Sequence, residues 1–186
     1  EAKLWDKCGL PTMGNKTRGK TLHRQGYITS YNPSTLLPNW VAWRLTPAHL
    51  DGNNKRGGIP YAEDYDVSPR QELGDWANAG KLGYDHGHMC PAGDNKWSKQ
   101  AMEETFLLTN MCPQKRRLNQ ETWERLESAC RKWVNKLGEI YIVCGPIFKS
   151  KKPKKLGSGN IPIPDAFFKV VLCTTGTPKA IGFIYK

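Results

Sequence analysis

The chain has 186 residues, enough for one well-buried core, so a single domain spanning residues 1–186 is expected. Lysine and arginine number 28 against 17 acidic residues, a formal charge of +11 that favours polyanionic partners, nucleic acid before an anionic surface. No apolar run reaches the roughly 18 residues that a helical membrane span requires, and no signal peptide is visible.

In chain order, residues 26–33 and 39–46 read as strands. Both are rich in β-branched and aromatic residues, and Pro33 and Pro38 bracket the connection, which predicts a hairpin or meander. Residues 47–83 hold Gly, Asn, Asp and Pro throughout. They predict a long functional loop carrying Lys55, Arg56 and Arg70, with a short helix around Gln71–Ala79. A polar motif follows, from Tyr84 to Asn95, containing Asp85, His86, Gly87, His88 and Asp94. A second polar set comes about thirty residues later: Asn110, Gln114, Asn119 and Glu127. From Gln120, the apolar residues Trp123, Leu126, Cys130, Trp133 and Leu137 recur at helical spacing, until Gly138 ends the helix. Residues 139–144, 166–173 and 180–185 read as strands, with the basic segment 149–155 between the first two, either a solvated loop or a phosphate contact. Strands, long loop, motif, helix and strands again predict an α+β fold with a mainly antiparallel sheet.

His86, His88 and Cys90 alternate, so an extended segment puts them on one face, and Gly87 leaves room for a substrate backbone. A histidine beside carboxylates suits a general base that activates water. The residues alone leave other readings open. The histidines are hydrogen-bonded structural groups, or His86, His88 and Cys90 are zinc ligands lacking an identified fourth. Asn119 is a helix N-cap, and Glu127 with Arg131 is a surface ion pair; alternatively Asn119 and Glu127 hold a hydrated Mg2+. Six cysteines, at 8, 90, 112, 130, 144 and 173, contain no Cys-x-x-Cys pair. Their even number favours disulfides in an oxidising compartment over buried free thiols, and hence a secreted or periplasmic protein.

The run Asp85-His86-Gly87-His88-Met89 with Pro91-Ala92-Gly93-Asp94, followed by Phe106 to Gln114, Leu118-Asn119, Trp123 and Leu126-Glu127, resembles the DNA/RNA non-specific endonucleases, the ββα-metal or His-Me finger nucleases. Trp40 to Leu45, Tyr141 to Pro146, Ile163-Pro164 and Phe167 to Val171 extend the likeness from about residue 26 to the end. The resemblance implies flanking helices and an embedded ββα-metal finger. It also implies Mg2+-dependent hydrolysis of DNA and RNA, without sequence preference, to 5′-phosphate and 3′-hydroxyl ends, Mn2+ being a substitute ion.

By the same resemblance, His88 matches the general base and Asn119 the direct ligand of one Mg2+. Glu127 matches the residue that acts on the ion through water. Asp85 supports the loop and helix, Asn110 orients the motif strand, and Arg56 corresponds to an upstream phosphate-binding arginine. His86 stands where the family usually has arginine, so a fixed cation is replaced by a titratable ring, with Arg56 or Lys96 as the compensating phosphate contact. The chain begins at Glu1 and stops on a strand, which reads as a trimmed form. A non-catalytic basic nucleic-acid-binding module is the alternative function. Monomer and homodimer stay equally open.

Overall fold

A computed structural model describes residues 9–14 and 17–186. Eight strands form in two sheets: β1 (Lys20–His23), β2 (Ile28–Asn32), β3 (Leu37–Leu45), β4 (Tyr84–His88), β5 (Met111–Lys115), β6 (Ile140–Ile147), β7 (Ala166–Cys173) and β8 (Lys179–Tyr185). Six of them make one sheet in the order β1-β2-β3-β6-β7-β8, every neighbouring pair antiparallel. The other two, β4 and β5, pair antiparallel by themselves, with Asp85 opposite Gln114 and His88 opposite Met111.

Helix α3 (Glu124–Leu137) packs the β4–β5 pair against the large sheet. It continues a wide π-helical stretch, Leu118–Trp123, that starts just after β5. Its inward face centres on Leu126, Cys130 and Val134, at 5 % exposure or less, whereas Trp133 and Leu137 are half-buried. The stripe read from sequence is therefore present, rotated slightly toward Val134. Each fully buried aliphatic side chain on this face stabilises the packing by about 1.5–3 kcal/mol. Gly138 ends the helix with φ 83°, and its N–H donates to Val134 O at 2.7 Å, a left-handed turn that suits glycine.

The strands expected at 26–33, 39–46, 139–144, 166–173 and 180–185 are all present, the first two as the β2–β3 hairpin. Strand β1 and the short helices α1 (Pro47–Leu50) and α2 (Lys99–Glu104) were not legible in the pattern. The helix expected at Gln71–Ala79 shrinks to one 3-10 turn, Leu73–Trp76.

The long loop 47–83 is held in place by buried polar groups. Asp64 is 3 % exposed, pairs with Arg24 at 2.5 Å and accepts from Thr109 Oγ1 at 2.6 Å. Gln71 donates to Leu36 O and Met111 O and accepts from Trp76 Nε1. These bonds fix Tyr61 and Trp76 over the motif strand.

The cysteine expectation is corrected. Cys90, Cys112, Cys130, Cys144 and Cys173 are free thiols buried as small core residues, and Cys8 lies outside the described residues. Export inferred from disulfides thereby loses its basis. No helix among the described residues is long and apolar enough to cross a membrane.

Gly87 also has a different reason from the one expected. A Cβ there would overlap the side chain of fully buried Gln114, so the glycine makes room for a neighbour within the protein. Gly87→Ala is expected to cost about 1–3 kcal/mol in denaturant unfolding, as overpacking does. Gln114→Ala in that background should recover part of the loss, and strictly additive losses would refute the overlap as the cause.

Candidate active site

Strand β4 and the helical run that follows β5 face each other across a cleft of about 750 Å³. His86 and His88, two residues apart on β4, share the cleft face, as alternation requires; the helical side presents Asn119, Glu127 and Arg131. Arg56, from the long loop, closes the rim, with its guanidinium 5.6 Å from the Phe106 ring centroid.

Asp85 ties the two sides together. Its Oδ2 accepts from Asn119 Nδ2 at 3.1 Å and from Gln120 Nε2 at 2.9 Å, and its Oδ1 faces Arg116 Nε at 3.3 Å. Holding the amide nitrogen of Asn119 leaves its carbonyl oxygen as the donor atom for a cation. Asn119 is thus not a helix N-cap. It sits inside the widened π-helical turn, with its side chain bonded to β4 rather than to the backbone. A second tie links the same elements: Trp123 Nε1 donates to His88 O at 3.3 Å.

Asn110 braces the chain just past the end of β4. It is fully buried, its Oδ1 accepts from Cys90 N, and its Nδ2 donates to Cys90 O and Thr105 O, all at 2.9 Å. The same bonds turn Cys90 into the core, and Asn95 Nδ2 lies 3.4 Å from its sulfur. No zinc site of His86, His88 and Cys90 is formed: among the described residues no three His, Cys, Asp or Glu side chains converge.

His88 is 8 % exposed, and its Nε2 is buried with no hydrogen-bond partner among the described residues. Burial, then Arg56 and His86, push its pKa down to about 3, so the ring is neutral near pH 7 with an unprotonated nitrogen. Glu127 keeps 13 % side-chain exposure, and burial pushes its carboxyl up to about 7 against the pull of Lys169 and Arg131. Its contact with Arg131 is long, 3.9 Å, because Arg131 bonds mainly to Asp94 at 2.8 Å. The expected surface ion pair is thus part of a buried network, in which Asp94 also accepts from Trp43 Nε1 at 3.0 Å.

His86 lies between two aromatic rings, Tyr61 and Trp76, each 3.9 Å away and nearly parallel to it (8° and 16°). Burial in that stack holds its pKa down to about 4. The ring is therefore uncharged at neutral pH and lacks the fixed charge that an arginine at this position would carry. Lys96 does not line the cleft: its backbone accepts from Asn54 and donates to His49, bracing the loop. Arg56 remains as the rim cation.

Lys169 on β7 was not singled out by the sequence reading. It is 1 % exposed, with its ammonium 4.4 Å from the Trp123 ring centroid and 5.8 Å from that of Trp43, and it makes no hydrogen bond among the described residues. The inward positions of β7, Phe167, Lys169 and Val171, alternate, and that parity is the signal that could have found it.

The sequence matches the DNA/RNA non-specific endonuclease family over residues 9–186. The chain belongs to that family. Mitochondrial nuclease EXOG of Danio rerio is 35% identical over 175 residues, covering 89% of this chain and 50% of that protein. Human mitochondrial endonuclease G is 30% identical over 177 residues, covering 89% and 57%. Nuclease C1 of Cunninghamella echinulata var. echinulata is 34% identical, covering 85% and 67%. The chain thus spans about half the length of the two mitochondrial relatives. A solved EndoG/EndoGI complex superposes with TM-score 0.85 at 24% identity, over 99% of this chain and 78% of that one, which establishes a common fold.

In this endonuclease-family chain, the stacked histidine sets a pH dependence of stability. The imidazole of His86 is harder to protonate folded than unfolded. The unfolded chain therefore takes up more protons, and stability falls as pH drops from 6.5 through about 4. His86→Phe keeps a ring in the stack and removes the titration, so its melting temperature should fall less steeply over that window. Parallel melting curves for the two proteins across it would contradict a neutral His86.

Proposed function

We propose that the chain is a Mg2+-dependent endonuclease that hydrolyses phosphodiester bonds of DNA and RNA, without sequence preference, to 5′-phosphate and 3′-hydroxyl ends. One observation carries the reading most: a neutral, unpartnered His88 shares a cleft with an Asn119 whose amide is locked by Asp85.

The donor set fits a hard divalent cation. Asn119 offers a carbonyl oxygen and Glu127 a carboxyl within reach through water, a set that suits an ion keeping several of its own waters. When bound, Mg2+, or Mn2+ in its place, supplies charge stabilisation at the phosphate and at the departing 3′ oxygen. The chain's own residues do the rest. His88 takes a proton from the attacking water as the new P–O bond forms and the P–O3′ bond breaks; the 3′ oxygen leaves and takes a proton from a second water. Asp85 orients Asn119, Asn110 fixes the end of the strand bearing His88, and Arg56 pairs with phosphate at the rim. These contacts address the backbone, which carries no sequence information, so DNA and RNA of any sequence are substrates.

Plasmid DNA and RNA should be cut in Mg2+ and spared on EDTA addition. His88→Ala should lose at least ~100-fold in rate, the lower range for removing a general base. Asn119→Ala should need far more Mg2+ for any residual cutting. Near-wild-type turnover by His88→Ala would sink the assignment. An intact plasmid combined with salt-sensitive binding would mean a binding module instead.

A further inference from the structure

A second groove, of about 430 Å³, runs between the β5 end of the motif and the loop that joins β6 to β7. Phe167 lies among its lining residues, and Lys115, Lys152, Lys154 and Lys186 stand along it. All four lysines are exposed, and none forms an ion pair among the described residues. The acid nearest in the lining, Asp165, accepts a hydrogen bond from Lys149 N at 2.7 Å. The lysine-bearing wall has a set shape. Ile163 N donates to Lys154 O at 2.7 Å, Leu156 N to Ile161 O at 2.9 Å, and the Leu156 side chain is buried in the main core. Tyr84, at the start of β4, lines both this groove and the cleft that holds His88.

We propose that this groove is a backbone subsite for the polynucleotide, carrying the strand away from the scissile phosphate, with Tyr84 as the ring over which it passes. The proposal rests on the nuclease reading above and extends it to a flanking length of chain. Continuity through Tyr84 selects the ligand, because a strand whose phosphate lies at His88 enters the groove without leaving the surface. Lysines pair with phosphates as point charges and aromatic rings accept any base, so the subsite discriminates by length and charge rather than by sequence. It gives the basic segment 149–155 a partner that a solvated loop does not have.

Lys152→Gln/Lys154→Gln tests this without touching the cleft. Binding of a 30-nucleotide single strand is measured in EDTA by fluorescence anisotropy across a salt series. Loss of two phosphate contacts should reduce the slope of log K against log salt by about 1.4, at ~0.7 per contact on a single strand. Under cleavage conditions the double variant should show a severalfold higher KM on the 30-mer and unchanged kcat/KM on a trinucleotide. An unchanged slope, or equal losses on both substrates, overturns the subsite. Should the unaltered protein cut neither substrate, the nuclease reading fails, and the salt slope still decides the groove independently.

Discussion

One carboxylate sets the geometry on which everything else depends. Asp85 sits on a strand that belongs to a two-stranded sheet, too small to be stable alone, and reaches the first turn of the helical run that follows β5. By accepting from Asn119 and Gln120 and facing Arg116, it fixes the distance between the His88 side and the Asn119 side of the cleft. The π-helical widening at Leu118–Trp123 belongs to the same arrangement, since it turns Asn119 toward β4. Without this tie, the strand and the helical run would be joined by the Trp123–His88 bond and apolar packing, which orient side chains less strictly than a charge-assisted hydrogen bond does.

Behind the cleft, a buried charge joins the finger to the large sheet. Lys169 projects from β7 against Trp43 of β3 and Trp123 of the helical run, so its ammonium touches both layers. A desolvated cation over an indole gains about 2 kcal/mol or more, yet burying an ammonium without hydrogen bonds costs more than that unless opposite charge is near. Asp94 and Glu127 supply it. With Arg131, two acids and two bases share one interior region. The arrangement explains why Glu127 can stay largely shielded from water while still facing the cleft.

Much of the fold was legible because its strands are rich in β-branched and aromatic residues. β7 matches its expected bounds, and β2, β3, β6 and β8 fall within a few residues of theirs. β5 was not legible: Met-Cys-Pro-Gln-Lys has little strand character, and Pro113 argues against one, so its pairing with β4 comes from tertiary context. The site was read from a motif whose members the fold does gather: His86, His88, Asn119, Glu127 and Arg56 share one cleft. What the sequence did not reveal is how neighbours alter side chains. Nothing local to His86 announces the rings of Tyr61 and Trp76, ten or more residues upstream, that strip it of charge. The five buried thiols were obscured for a similar reason, since cysteine count does not distinguish a bridge from a core methyl-sized filler.

The aromatic stack at His86 has a consequence for how the molecule meets ionic strength. A cation on the cleft floor would have made attraction and chemistry depend on the same charge. Here the ring at that position is uncharged at neutral pH, and exposed positive charge lies outward at Arg56 and the lysines, where dissolved ions screen it within about 10 Å at 0.1 M. The groups assigned to bond cleavage, His88 above all, are instead buried, where salt screens little. For the nuclease proposed above, capture and turnover would thereby be uncoupled: rising salt would weaken the hold on a passing strand while leaving the rate of cutting, once it is seated, nearly untouched.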